Sequence, residues 1–142
     1  MEPRISLITL GVADLKRSLA FYRDGLGFPT TWDVERGVIF FQTSGARLAL
    51  YPLDQMTGDV GPTLQGPRTG FGGITLAHNV RVRAQVGEVL ALAERAGATI
   101  LRPAHQAFWG GTTGYFADPD GYVWEVAWGA FPIADDGTLE IP

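Results

Sequence analysis

Few side chains in this sequence are equipped for chemistry, and their types exclude several reaction classes. The chain has no cysteine, so thiolate nucleophiles, disulfides and thiolate metal sites are all excluded. Its serines, Ser6, Ser18 and Ser44, stand outside the motifs that present a serine nucleophile. The two histidines are His78 and His105. Acid-base or ligand-binding chemistry would therefore depend on these histidines and on the carboxylates.

Among the carboxylates, Glu125 is the most unusual, because it lies between two large apolar neighbours in a strand-like segment at residues 122–128. A carboxylate in that setting must reach solvent, a partner or a ligand. It could act as a general base, or it could bind a cation or hydroxyl group of a ligand. The alternative is a structural side chain that hydrogen-bonds to Thr9, Tyr51 or water. Both interpretations stay open at the level of sequence.

The first half of the chain predicts one strand, one helix and three further strands. Residues 5–12 are rich in Ile, Leu, Thr and Val, which is typical of a strand. A helix is then predicted over residues 14–26, because its apolar residues recur every three or four positions and Gly27 suits a helix end. The three further strands are expected at residues 30–34, 37–43 and 46–52.

After a segment rich in glycine and proline, the second half repeats this order of elements. It predicts a strand at residues 72–80 and a helical face from Val82 to Ala93 that Gly97 ends. Three strands are expected to follow, at residues 98–102, 112–117 and 122–128. The predicted organisation is a first module at 5–53, a connecting loop at 54–70, a second module at 71–129 and a tail at 130–142.

In each module the helix would cover one face of the sheet. The uncovered faces of the two sheets, one from each module, would together line a trough. Because side chains alternate between the two faces along a strand, the residues that would line the trough can be listed. Most of them are small and apolar, and Tyr51 and Glu125 supply polar groups. His105 and Trp109 are expected in a loop near the mouth of the trough, whereas His78 would face away from it. The predicted ligand-binding set is Leu7, Thr9, Phe40, Gln42, Ala49, Tyr51, Gly73, Thr75, His105, Trp109 and Glu125.

The composition is that of one globular domain of 142 residues, with 46% apolar residues and a net charge of −4. The 11 Lys and Arg residues are scattered, so no basic stripe for nucleic acid is expected. No apolar run approaches the roughly 20 residues of a membrane helix, so no membrane association is expected. Residues 1–10 carry no secretory signature, and a cytoplasmic location is expected.

Two motifs resemble those of the vicinal-oxygen-chelate superfamily, which contains glyoxalases, bleomycin-resistance proteins and extradiol dioxygenases. The first is LGVADLKRSLAFYRDGLGF, from Leu10 to Phe28, and it is similar to the opening strand and helix of these proteins. The second is GGTTGYFADPDGYVWEV, from Gly110 to Val126, with an Asp-Pro-Asp-Gly turn before the final strand. The resemblance implies an α+β fold of two tandem βαβββ modules that form a concave, open-barrel-like trough.

In metal-using members of the superfamily, four side chains on four strands hold a divalent ion. The resemblance places these positions at Leu7, Ala49, Gly73 and Glu125 of this chain. Three of them carry no coordinating atom, and one carboxylate cannot replace the several ligands that such an ion needs. We therefore expect no metal and no other cofactor. The alternative is a divalent metal in an unorthodox site that uses His105 and Glu125.

Two functions follow from these expectations. The first is a metal-free protein that binds, and in the manner of bleomycin-resistance proteins sequesters, a small molecule. The second is an enzyme, either a glyoxalase-like lyase or isomerase or a dioxygenase, in which Glu125 is the acid-base catalyst or an unorthodox metal acts. Superfamily members commonly pair two chains, so the resemblance also implies a homodimer.

Overall fold

Each half of the chain forms a β-sheet of its own. The computed structural model describes residues 1–61, 70–129 and 131–141, and the chain divides into two compact units, Met1–Gly72 and Gly73–Pro142. The first unit holds a three-stranded sheet and the second a four-stranded sheet, each accompanied by helices, so the predicted α+β class is confirmed. No helix among the described residues is both long and apolar enough to span a bilayer.

The sheet of the first unit consists of β1 (Leu7–Val12), β2 (Ile39–Phe41) and β3 (Arg47–Pro52). The central strand is β3, which runs parallel to β1 and antiparallel to β2. After β1 the chain enters helix α1 (Leu15–Leu19), which continues directly as a π-helix at Ala20–Gly25. The helix predicted from the apolar spacing is thus present, and its second half has the wider π-helical turn.

This helix is capped and buried by side chains that the sequence pattern placed on it. Asp14 accepts a hydrogen bond from the backbone N–H of Arg17 at 3.0 Å, which satisfies a donor of the first turn. Phe21 and Tyr22 are buried, and the ring centroids of Tyr22 and Phe41 lie 5.7 Å apart. Burial of these aromatic rings contributes much of the hydrophobic stabilisation of the first unit.

The predicted strand at residues 30–34 is wrong. Thr30 Oγ1 donates a hydrogen bond to the carbonyl of Phe40 at 2.6 Å and accepts one from the backbone N–H of Trp32 at 3.0 Å. A 3₁₀ turn follows at Val34–Arg36. A hydroxyl that bonds to nearby backbone groups competes with the ladder bonds of a strand, and here that local arrangement is the one adopted.

The segment predicted as a connecting loop, residues 54–70, begins instead with helix α2 (Leu53–Val60). Residues 62–69 of that prediction lie outside the described residues. Helix α2 packs on β1, because a Cβ added to Gly11 would come within 2.7 Å of Leu53 Cδ1. The apolar residues Leu53, Met56 and Val60 of α2 recur at helical spacing, but none of its residues is fully buried.

The second unit has the predicted order of one strand, one helix and three strands. Its elements are β4 (Thr75–Asn79), α3 (Ala84–Ala96), β5 (Thr99–Gln106), β6 (Thr112–Ala117) and β7 (Val123–Trp128). The strand order in the sheet is β4-β7-β6-β5, with β4 and β7 parallel and the other neighbours antiparallel. The two inner strands, β7 and β6, are therefore hydrogen-bonded on both edges.

Helix α3 covers one face of this second sheet. It ends at Gly97, whose φ of 111° is the left-handed conformation that closes helices. A Cβ added to Gly114 of β6 would come within 2.5 Å of Leu90 Cδ1, so side chains at this register point towards α3. On the same face the rings of Phe116 and Trp124 stack, with centroids 6.1 Å apart. Alternate residues of β6 and β7 must point to the opposite face.

Candidate functional site

The face of the second sheet opposite α3, which we call the site face, carries Thr113, Tyr115 and Glu125. Tyr115 of β6 is the direct cross-strand neighbour of Glu125 of β7. Thr113 Oγ1 and the Tyr115 hydroxyl both donate hydrogen bonds to Glu125 Oε1, each at 2.9 Å. The structural partners suggested by sequence, Thr9 and Tyr51, belong to the first unit and are not the ones observed.

The second carboxylate oxygen of Glu125 is left available. Glu125 is half-buried, and Oε2 has no hydrogen bond to any residue in the described part of the chain. Two donors on Oε1 hold the carboxylate in one orientation, and they leave Oε2 as an acceptor for a further donor. The arrangement suits either a ligand that presents N–H or O–H, or a proton taken from a bound substrate.

The hydroxyl of Tyr115 stays protonated and can donate a hydrogen bond. Burial raises the pKa of the Tyr115 hydroxyl, its hydrogen bond to Glu125 raises it further, and the Arg102 guanidinium acts in the opposite direction. A phenol whose pKa lies above its ordinary value of about 10 stays protonated at neutral pH. The hydroxyl therefore remains a donor to Glu125 over the physiological range.

Two more polar side chains of β5 lie on the site face, and the pairing of this strand has two irregularities. Ile100 pairs with Phe116, and regular pairing would place Arg102 opposite Gly114, towards α3. A register shift instead places Arg102 opposite Tyr115, and a second shift places His105 opposite Thr113. Bulges of this kind re-aim side chains and recur next to functional sites.

His105 presents a ring nitrogen that can accept a hydrogen bond. It lies within β5, so its predicted position in a loop is wrong; β5 extends four residues beyond the predicted strand end at Arg102. His105 Nδ1 lies 2.9 Å from the carbonyl oxygen of Pro103. Because a carbonyl oxygen only accepts, Nδ1 carries the proton, and Nε2 of the neutral ring is an acceptor.

His78 lies away from Glu125 and its partners, as the alternation of side chains along its strand predicted. It pairs with Val126 of β7, whose side chain is on the α3 side of the sheet. Its side chain keeps considerable solvent exposure, yet burial of the ring among neighbouring atoms lowers its pKa below the usual value of 6.5. It is therefore a structural histidine on the opposite face from Glu125.

The remaining predicted residues divide between the two units. In the first sheet, the register places Thr9 beside Ala49 and Phe40 opposite Ala49, so these residues share one face. Tyr51 lies on that face and donates its hydroxyl to Asp59 of α2 at 3.2 Å. Tyr51 therefore already has a partner within its own unit. Leu7 begins the same strand face and is 41% exposed.

Of the four other predicted residues, two lie just outside strands, one is in the edge strand β4 and one is in a turn. Gln42 follows β2, is exposed, and donates its backbone N–H to Pro29. Gly73 precedes β4, and Thr75 in β4 pairs with Val123 on the site face. Trp109 lies in the β5–β6 turn, where its ring packs against Gly111. None of these four is shown in contact with Glu125.

The donor set does not fit a metal ion at the positions that the resemblance implies. Leu7, Ala49 and Gly73 have no coordinating side-chain atom, and Glu125 already uses Oε1 for two hydroxyl donors. In the described ranges no group of three His, Cys, Asp or Glu residues is placed to hold a metal. The expectation that the protein needs no metal stays a prediction.

Sequence reasoning missed Thr113, Tyr115 and Arg102. The two hydroxyl residues could have been found, because a regular β6–β7 hairpin around the Asp-Pro-Asp-Gly turn places Tyr115 opposite Glu125. Arg102 could not, since regular alternation along β5 assigns it to the other face. Pro103, which cannot donate a ladder hydrogen bond, is the only local sign of the irregular pairing.

Comparisons with known proteins agree on one family. The model of the Glyoxalase/Bleomycin resistance protein/Dioxygenase superfamily matches residues 4–126. A solved structure described as a glyoxalase-related enzyme from Fulvimarina pelagi is 36% identical, with a TM-score of 0.88 and 98% of each chain covered. No curated protein matches the chain significantly.

More distant solved structures share the fold. A glyoxalase/bleomycin resistance protein/dioxygenase from Nocardioides is 23% identical, with a TM-score of 0.74, 90% of this chain covered and 84% of that one. Lactoylglutathione lyase from Agrobacterium tumefaciens is 24% identical, with a TM-score of 0.65, 91% of this chain covered and 96% of that one. At these identities the likeness concerns the fold alone.

Proposed function

Because this chain belongs to the glyoxalase/bleomycin resistance protein/dioxygenase superfamily, we propose that it binds a small organic molecule without using a metal ion. The binding site is the site face of the second sheet, with Glu125 at its centre. The observation that carries the proposal is the carboxylate itself: Oε1 is held by Thr113 and Tyr115, and Oε2 has no described partner. A half-buried acceptor in that position is stabilised by a ligand donor.

The surroundings of Glu125 suit an organic ligand. Ala77 is the direct neighbour of Glu125 on β4, and Ala127 follows it on β7. Ala77 is exposed, and its methyl group offers apolar contact, while Ala127 is buried. Thr113 and Tyr115 supply polar groups at defined places. Ligand sites typically combine a mostly apolar lining with a few fixed polar groups. Drug sequestration is a function of this kind, and bleomycin resistance is part of the superfamily's name.

The test is a binding measurement with probes that carry hydrogen-bond donors. We would titrate isotope-labelled protein with metal-free bleomycin and with 3-phenyllactamide, an uncharged hydroxyl donor, and follow backbone amide shifts. The proposal predicts shifts that concentrate at Thr113, Tyr115 and Glu125 and that disappear in Glu125→Gln. The matched control is Glu94→Gln, on the exposed side of α3, which should bind like wild type. Equal binding by Glu125→Gln, or no shift with either probe, would contradict it.

A second function is favoured by the geometry of the same carboxylate. With Oε1 fixed by two donors, Oε2 is positioned to remove a proton from carbon next to a carbonyl and to return it to the adjacent carbon. This is the step of a glyoxalase-like isomerase, and the similar Fulvimarina protein is described as a glyoxalase-related enzyme. Turnover of the hemithioacetal of methylglyoxal and glutathione, lost in Glu125→Gln and kept in Glu94→Gln, would move this function ahead of binding alone. Oxidative cleavage of a catechol would indicate the dioxygenase alternative.

The cellular setting forms part of the proposal. We place the protein in the cytoplasm, where a fold that does not depend on disulfides can be maintained. We also propose that it forms a homodimer and that nucleic acid is not a partner, since the net charge is −4.

A further inference from the structure

Three side chains stand in one row across the second sheet. Arg102 of β5 is the cross-strand neighbour of Tyr115 of β6, and Tyr115 is the cross-strand neighbour of Glu125 of β7. Adjacent strands lie about 4.8 Å apart, so the Cα atoms of Arg102 and Glu125 are separated by roughly 10 Å. A cation, a phenol and a carboxylate thus occupy the same face in that order.

The two charges of this row do not neutralise each other. Within the described ranges, Arg102 forms no ion pair and Glu125 accepts only from Thr113 and Tyr115. The guanidinium is nevertheless close enough to the Tyr115 hydroxyl to lower its pKa against the effect of burial. Arg102 and Glu125 therefore lie on the two strands that flank Tyr115, and in the described part of the chain they form no ion pair with each other.

The position of Arg102 depends on a departure from regular strand pairing. The shift between Ile100 and Arg102 turns the arginine from the α3 side to the site face, and the shift before His105 keeps that histidine on the same face. Each shift interrupts the ladder of hydrogen bonds between β5 and β6. After the two interruptions Arg102 lies opposite Tyr115 and His105 opposite Thr113, the two residues that donate to Glu125, and a ligand that uses these polar side chains would account for this arrangement.

We propose that this ligand is an organic anion that carries a hydroxyl or amine a few bonds from its carboxylate, as hydroxy acids and amino acids do. The inference rests on the proposed binding function and names its ligand class. The guanidinium of Arg102 pairs with the ligand carboxylate through two parallel N–H donors. Glu125 Oε2 accepts from the ligand hydroxyl or amine, and the Tyr115 ring lies between the two contacts. His105 Nε2 offers a further acceptor on the same face.

Three probes of one shape separate the two contacts. 3-Phenyllactate has both a carboxylate and a hydroxyl, 3-phenyllactamide has the hydroxyl without the charge, and 3-phenylpropionate has the carboxylate without the hydroxyl. Binding to the full chain is measured by calorimetric titration at low salt. We expect 3-phenyllactate to bind about tenfold more tightly than either partial probe, since a charge-assisted contact contributes about 1.5 kcal/mol or more.

Variants then assign each contact to its residue. Arg102→Gln should remove the preference for 3-phenyllactate over 3-phenyllactamide, and Glu125→Gln should remove its preference over 3-phenylpropionate. Arg95→Gln, an exposed arginine in the last turn of α3, is the matched control and should keep both preferences. Amide spectra of each variant show whether its fold is retained. Arg102→Lys keeps the positive charge but loses the forked guanidinium, so it separates the effect of charge from that of two parallel donors.

The outcomes separate the inference from the proposed function. If 3-phenyllactate and 3-phenyllactamide bind equally and both lose affinity in Glu125→Gln, the proposed binding site stands and the anionic ligand class is overturned. An unchanged preference in a folded Arg102→Gln overturns it as well. If neither hydroxylated probe binds wild-type protein, the proposed function fails, and this inference fails with it.

Discussion

The hydrogen bond from Tyr115 to Glu125 makes a measurable contribution to stability. Tyr115→Phe removes only the hydroxyl and leaves the ring in place, so no large cavity forms. A hydrogen bond to a charged group contributes about 1.5–3 kcal/mol, and we take a value below that range because both residues are half-buried and Thr113 still donates to Oε1. The expected loss in the free energy of unfolding is about 1 kcal/mol.

The assay is urea unfolding followed by tryptophan fluorescence, repeated in the Glu125→Gln background as a double-mutant cycle. Tyr115→Phe should cost less in that background, because the charged acceptor has been removed. Tyr51→Phe is the control, since its hydroxyl contacts the exposed Asp59 at the longer distance of 3.2 Å. A coupling energy below about 0.3 kcal/mol between Tyr115 and Glu125 would refute the account of a fixed carboxylate.

Three further predictions concern the core, pH and assembly. Leu90→Ala should lower the free energy of unfolding by about 2–5 kcal/mol in the same assay, because Leu90 of α3 is buried against β6, whereas exposed Leu101→Ala should cost much less. The pKa of His78 is lowered in the folded state, so the unfolded chain takes up its proton first as pH falls. Stability should therefore decline below about pH 6.5, and His78→Gln should weaken that decline in thermal melts, whereas an unchanged profile would contradict it. Light scattering at micromolar concentration should give the mass of a dimer, and a monomer mass would contradict the proposed assembly.

Much of the second unit could be predicted from the sequence because each element there has a strong local pattern. The apolar residues of α3 recur at helical spacing and Gly97 ends the helix with a positive φ, so both its presence and its end were predictable. Strand β6 has the predicted bounds, 112–117, between glycine residues and the Asp-Pro-Asp-Gly turn. Local pattern and tertiary structure favour the same conformation in these segments.

The first unit was harder to predict because its irregular parts depend on individual hydrogen bonds. Thr30 and its two backbone partners replace a strand that composition favoured. Helix α2 has apolar residues at helical spacing, but it is short and contains Gly58, and the glycine and proline residues that follow favoured a loop. Such elements are determined by contacts with neighbouring strands, which a pattern along the chain does not record.

The candidate site was predicted only in part. Alternation along the strand was sufficient to single out Glu125, because the side chains of β7 point regularly to one face of the sheet and then the other. Arg102 reaches the same face through a register shift between β5 and β6, and such a shift is set by the pairing of two strands. The hydroxyl partners of Glu125 likewise required the register of β6 against β7.

The most direct test of metal-free binding at Glu125 is a calorimetric titration of 3-phenyllactate into protein before and after exhaustive treatment with a chelator. We expect the same affinity in both samples, about tenfold weaker binding by Glu125→Gln, and unchanged binding by Glu94→Gln. Binding that disappears with the chelator and returns on addition of a divalent ion would contradict the central claim. It would show that the ligand is held through a metal.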